Sequence, residues 1–196
     1  MVTMTKKSLS MQPSQPPLPA FDDVFEMNRL FLEFLRERAA IALGRFGMSQ
    51  ATHELLRAAP PSAVERAARF PRALFRLALP ESVPEVSNSF ELLRRSGECV
   101  LELVLLHAAR NLCRRSGYAA RLQLGLTDVE VRCLRQADVQ DLVAFSVADA
   151  VVFAAFDRLD WLWHELLSES RPDAWRRLLL IGLQPSYGLT ALPRPA

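Results

Sequence analysis

The chain is poor in the residues that build covalent or metal-held frameworks. Its three cysteines, Cys99, Cys113 and Cys133, are odd in number and widely spaced, without a Cys-x-x-Cys pair. That pattern argues for reduced thiols in a cytoplasmic protein and against a disulfide scaffold or a structural zinc site. Its three histidines, His53, His107 and His164, lack the His-x-x-x-His or Glu-x-x-His spacing that sets two ligands on one turn of helix. His164 sits four residues after Asp160, where a partly buried structural imidazole is the expectation. No Gly-x-x-x-x-Gly-Lys, Gly-x-Gly-x-x-Gly or Gly-x-Ser-x-Gly occurs, so nothing in the sequence cradles a phosphate or presents a nucleophile. Asp22-Asp23 reads as a helix cap rather than a catalytic carboxylate pair. Neither an enzyme nor a cofactor or metal is expected.

Long apolar runs are missing too. Half of the residues are hydrophobic, yet Arg, Glu or Asp interrupts each stretch before the roughly 18 residues needed to span a bilayer. Lys6 and Lys7 are followed by Ser, Gln and Pro instead of an apolar segment, so a secretory signal is not expected. A soluble protein without a membrane partner follows. The formal net charge of +2 is too small to demonstrate a polyanion partner. Its distribution says more: Phe21 to Leu79 holds nine Arg against seven Asp plus Glu, and Asn88 to Ser168 nine against eleven.

What the chain does have is a repeat. An offset of 78 lays Arg45–Leu79 on Gln123–Asp157 and pairs Gly47 with Gly125, Ser49 with Thr127, Leu56 with Leu134, Arg57 with Arg135 and Phe75 with Phe153. Glycine, helix cap, apolar period and closing aromatic recur in one order, which carries more weight than the identities alone.

Around the repeat the chain divides by composition. Residues 1–20 are Ser-, Gln- and Pro-rich and read as a disordered tail. A first module spans 21–80, a linker with Pro80 and Pro84 around 81–87, a second module 88–168, and a C-terminal helix with a loose tail 169–196. Apolar periodicity predicts a helix from Asp22 to about Ala42, with Gly44 or Gly47 as its stop, then short helices over about Ser49–Arg57 and Ser62–Arg69. In the second module it predicts a long helix from near Ser87 that Gly117 ends or interrupts. A helix capped by a Thr127–Glu130 box follows, then one capped by Asp138, and further helices at about 159–167 and 172–181. Residues 73–77 and 151–156 fit either strand or helical turn. The fold class expected is all-α, with helix-turn-helix-like units in tandem.

Long helix, glycine, capped helix, short turn, second short helix and aromatic extension resemble the FlhD-type flagellar transcriptional activator family. The resemblance rests on Arg45-Phe46-Gly47-Met48 through Leu55 with Pro61–Phe75, and on Gln123-Leu124-Gly125-Leu126 through Leu134 with Asp138–Phe156. It implies a mostly helical fold, dimerisation through intertwined helices, and a bacterial role in transcription regulation beside a second, zinc-containing subunit. Two copies in one polypeptide depart from that pattern and would reproduce the family's dimer within one chain.

The repeat also exposes a contrast. It pairs Arg66 with Ala144, Arg69 with Val147, Arg72 with Ala150 and Arg76 with Ala154. If the segment is helical, the four arginines form one basic stripe able to neutralise the phosphates of duplex DNA where a helix-turn-helix places its recognition element. The bland alternative is a solvated helix face. Ala144, Val147, Ala150, Val151 and Ala154 read as an apolar interface, against the first copy, against Trp161 and Trp163, or against a protein partner that is a second regulator subunit or another copy of the chain. Regulator or adaptor is the functional expectation, and an accessory protein of a flagellar or secretion apparatus without nucleic-acid contact is the alternative. Cys113 and Cys133, although next to Arg114 and Arg132, sit in apolar-periodic segments and read as inert thiols.

Overall fold

The computed structural model describes residues 22–80, 82–84, 97–147, 151–156 and 159–168. The predicted tail, the start of the second long helix and the helix at 172–181 lie outside them. The described chain is mostly helical, in the order α1 (Asp22–Glu37), α2 (Ala39–Gly44), α3 (Gln50–Ala58), α4 (Pro61–Ala68), β1 (Phe75–Leu77), α5 (Gly97–Arg115), α6 (Gly117–Leu124), α7 (Asp128–Gln136), α8 (Val139–Val147), β2 (Val152–Ala154) and α9 (Asp160–Leu167). The all-α expectation holds, and 73–77 and 151–156 resolve into short strands. Among the described residues no helix is long and apolar enough to cross a membrane.

The periodicity of α1 buries Val24, Met27, Phe31, Leu32 and Leu35 on one face. The helix does not run on to Ala42, however. It breaks at Arg38 (φ −132°, ψ 72°), and the chain breaks again 78 residues later at Ser116 (φ −154°, ψ 102°) between α5 and α6. A break strands helix carbonyls, and each half covers its own with a side chain from the next helix but one. His53 Nε2 lies 3.1 Å from the Leu35 carbonyl and donates to it with its proton on that nitrogen. Arg135 donates to the Cys113 carbonyl from Nε at 3.2 Å and Nη2 at 2.9 Å.

Gly47 and Gly125 both adopt left-handed backbone, φ +65° and +69°. A Cβ on Gly47 would meet nothing nearer than Phe153 Cδ1 at 4.0 Å, so conformation rather than space requires glycine there. The predicted caps follow. Ser49 accepts from the Thr52 N–H, and Thr127 and Glu130 form both arms of a capping box. Asp138 and Asp141 cap α8 reciprocally, each side chain accepting from the other's N–H at 2.8 Å. Pro61 stands in the first turn of α4.

β1 and β2 pair antiparallel, with Phe75 opposite Ala154, Arg76 opposite Phe153 and Leu77 opposite Val152. Because Phe75 and Arg76 are the repeat equivalents of Phe153 and Ala154, this register exchanges equivalent residues about a point between the Phe75–Ala154 and Arg76–Phe153 pairs. Ala78 N–H donates to Val151 O and Ala155 N–H to Leu74 O, both at 2.8 Å. Two further bonds cross the halves just before the left-handed glycines: Ala154 N–H to Phe46 O and Ala73 N–H to Gln123 O, both at 2.7 Å.

One buried side chain lays out the approach to β1. Asn28 Nδ2 donates to the carbonyls of Ala68 (3.2 Å), Phe70 (3.3 Å) and Arg72 (2.9 Å), and its Oδ1 accepts from the Leu74 N–H at 2.7 Å. Together with Pro71, which disfavours helical backbone at Phe70, this ends α4 at Ala68. The position 78 residues on is Leu106, so this clamp belongs to the first half alone.

The core lies between the halves. Phe31 stands edge-on to Phe46 (5.8 Å between centroids) and tilted against Phe75 (5.5 Å), and Phe70 meets Phe156 edge-on at 6.0 Å. That contact fixes Phe156, whose φ of +58° is rare for a bulky residue. Beyond it α9 crosses back onto α3 and α4, burying Leu162, Trp163, Leu166 and Leu167. Asp160 accepts from Ser49 Oγ (3.2 Å) and Thr52 Oγ1 (3.1 Å).

Two substitutions test this layout by denaturant unfolding. Asn28→Ala leaves buried carbonyls unpaired and is expected to cost about 2–4 kcal/mol. Gly47→Ala is expected to cost about 1–2 kcal/mol through left-handed backbone alone, whereas Gly44→Ala, which meets nothing within 4 Å at the end of α2, is expected to be neutral or slightly stabilising.

Candidate functional site

The four arginines do not form a stripe. Because α4 ends at Ala68 and the chain runs extended into β1, they are distributed over a helix, a loop and a strand. Arg66, on α4, is half-buried and donates from Nη2 to the Ser168 carbonyl at 2.6 Å, tying α4 to the end of α9. Arg69 is exposed; it pairs with Glu65 at 2.9 Å and lies over the Phe25 ring, 5.0 Å from its centroid. Arg72 is only 5% exposed, and burial lowers its pKa. Arg76, half-buried in β1, stacks its guanidinium 4.6 Å from the centroid of the Phe153 ring across the strand pair. The expectation of one solvent-facing basic helix face is therefore corrected. Helical spacing at i, i+3 and i+4 aligns side chains only while the helix continues, and the Asn28 clamp stops it two residues before Phe70.

The apolar set of the second half is placed differently. Ala144, Val151 and Ala154 are buried and Val147 is half-buried; Ala150 lies outside the described residues. Val151 and Ala154 face β1 and take part in the bonds that cross the halves, so their burial is against the first half. Trp161 does not join this surface. It is 49% exposed beside a shallow gap lined by Ala51, Thr52, Leu55 and His164, while Trp163 is the one that enters the core. His164 is exposed, not partly buried, and Asp160 turns to the α3 N-terminus; His53 is the buried structural imidazole.

Sequence reasoning missed an ion pair that joins the halves. Arg45, the first residue of the repeat, donates to Glu102 from Nε at 3.1 Å and Nη2 at 2.9 Å, and reaches the Ser146 carbonyl at 3.4 Å. Glu102 is fully buried. The available signal was a carboxylate between Leu101 and Leu103 inside an apolar-periodic run.

Two of the thiols, Cys113 and Cys133, sit where the thiolate is disfavoured. Burial pushes Cys113 up to about 11 despite the nearby Arg135. Burial raises Cys133 as well, reinforced by Asp141 and Glu130. Among the described residues no group of His, Cys, Asp and Glu is arranged to hold a metal ion.

No protein-family model matches the chain, and neither a curated protein nor a solved structure is detectably similar to it. The resemblance to the FlhD type therefore stands on the residues of this chain alone.

Cys113 supplies a pH test. Its folded pKa of about 11 lies above the unfolded reference of 9.0, so the neutral thiol favours the folded state. That contribution is complete below pH about 9 and is lost as pH rises through about 11. In Cys113→Ala, unfolding free energy measured from pH 8 to 11 is expected to fall less steeply than in the wild type; equal slopes would contradict the assignment.

Proposed function

We propose that this chain is a regulatory assembly protein of the FlhD kind, in which two modules close on each other as the family's subunits would. The observation that carries this reading is the pairing of β1 with β2, in which Phe75 meets Ala154 and Arg76 meets Phe153, since equivalent segments of a repeat exchanging partners in this way is how two like subunits form a two-fold interface. The reading is supported further by the recurrence, 78 residues apart, of the break at Arg38 and Ser116, the left-handed Gly47 and Gly125, and the caps Ser49 and Thr127. In such a protein the strands and their flanking loops are spent on internal closure. Recognition of a partner then falls to the outer helical surfaces, and the molecule works by assembly in transcription control.

Direct contact with duplex DNA is secondary in this reading. Arg66, Arg72 and Arg76 are engaged within the fold, which leaves the solvent-exposed Arg69, paired at the surface with Glu65, as the member of the quartet able to approach phosphate. The same inward placement favours a second reading, an accessory protein of a flagellar or secretion apparatus with no nucleic-acid role.

Affinity capture of the full chain from its native cell separates the two. The regulator reading expects RNA polymerase or a zinc-containing activator subunit among the retained proteins; an export-apparatus component in their place supports the accessory reading and overturns the first. In parallel, retention of duplex DNA at low ionic strength is expected to be weak, to fall with salt by about one phosphate contact's worth of slope, and to disappear in Arg69→Ala.

A further inference from the structure

α1 and α5 lie side by side and antiparallel. Asp23, at the start of α1, is ion-paired with Arg115 at the end of α5, and the Arg38 guanidinium sits against Gly97 at the opposite end, its Nη1 2.8 Å from where a Cβ would stand. Between them runs an open groove of about 650 Å³. Its floor is aliphatic: Met27 and Leu30 from α1, Val104, Leu105 and Ala108 from α5. Leu30 is 40% exposed and Val104 42%, and one turn further along α5 Val100 is 47% exposed. Three aliphatic side chains left open on adjoining helices form a patch rather than scattered surface residues.

The repeat makes this patch conspicuous. Leu30 and Ala108 are 78 apart and both line the groove, so it straddles equivalent positions of the two halves. Val104 stands where the first half has an exposed Glu26. The rims differ in sign accordingly. Along α1 the groove is lined by Asp23 and Glu26, along α5 by Asn111, Arg114 and Arg115; Asp23 is tied to Arg115 across it, while Glu26 and Arg114 stand exposed on opposite rims.

We infer that this groove is a self-association surface and that its occupant is a second copy of this chain. An acidic edge and a basic edge on either side of one apolar floor are complementary to themselves when two molecules meet face to face about a two-fold axis. That pairing lays α1 of each chain on α5 of the other, covers Leu30, Val100 and Val104 mutually, and sets Glu26 of one chain beside Arg114 of the opposing α5. The patch spans about two helical turns, which suits a reversible dimer rather than an obligate one. This interface is separate from the internal closure through β1 and β2, and it stands whether or not the regulatory reading does.

Sedimentation equilibrium of the full chain from about 1 to 100 µM tests it. The wild type is expected to shift from monomer to dimer across that range. Val104→Glu and Leu30→Glu are each expected to weaken association about tenfold or more. Both keep the wild-type circular dichroism and melting temperature because the altered side chains face solvent; Arg114→Glu weakens association as well, although it also loses a 3.2 Å hydrogen bond to the Arg135 carbonyl. Val129→Glu, equally solvent-facing on α7, leaves the dimer unchanged. A wild type that stays monomeric throughout, or a folded Val104→Glu that associates as the wild type does, overturns the inference. A monomeric wild type whose capture of a regulator or export component is lost in Val104→Glu would assign the groove to that protein and would likewise overturn self-association.

Discussion

Strands of three residues do not hold together by their own hydrogen bonds in water. β1 and β2 persist because Phe75, Leu77, Val152 and Ala154 are all buried, which removes water as a competitor for the bonds that join Leu74–Ala78 to Val151–Ala155. Each strand can be delivered there only if the chain ahead of it turns correctly. In both halves a left-handed glycine redirects the backbone, and the carbonyls of Phe46 and Gln123 just before those glycines accept from the opposite half. In the first half Asn28 does more, holding four backbone groups between Ala68 and Leu74 in place. Closure across the halves is thus the constraint from which the rest follows.

That constraint explains where the charges sit. A segment that must run extended through the core takes its arginines with it, so Arg72 is buried and Arg76 is stacked on Phe153 instead of facing solvent. Glu102 and Arg45 are held on the same principle, a carboxylate inside an apolar helix face tolerated because a guanidinium from the other half meets it in two hydrogen bonds. Charge at Arg45 and Glu102 contributes to joining the halves, and the outer surface that remains is helical and partly apolar.

Local signals in the sequence were legible because their physics is local. Ser49, the Thr127–Glu130 box, Asp138 and Pro61 cap or start helices through groups within three residues, and Gly47 and Gly125 mark left-handed turns that other residues avoid. What escaped depends on residues far apart in the chain. Gly117 marks the break at Ser116, but the break at Arg38 carries no glycine or proline, and the side chains that cover the freed carbonyls at the two breaks, His53 and Arg135, stand 18 and 22 residues on. The arginine quartet was misjudged as one helical face because Asn28, about 40 residues upstream, ends that helix. Trp161 and Trp163 are two apart on one helix, and only the crossing of α9 onto α3 and α4 decides which is buried.

The two halves form one cooperative unit through their strand pairing. Native-state amide hydrogen exchange of the full chain measures this most directly, read at Ala73, Ala78, Ala154 and Ala155 and at interior amides of α3 and α7. The four amides that bond across the halves are expected to exchange only by global unfolding, and α3 and α7 to share the same opening free energy and the same dependence on denaturant. Strand amides that exchange freely, or halves that open with separate free energies, would contradict it.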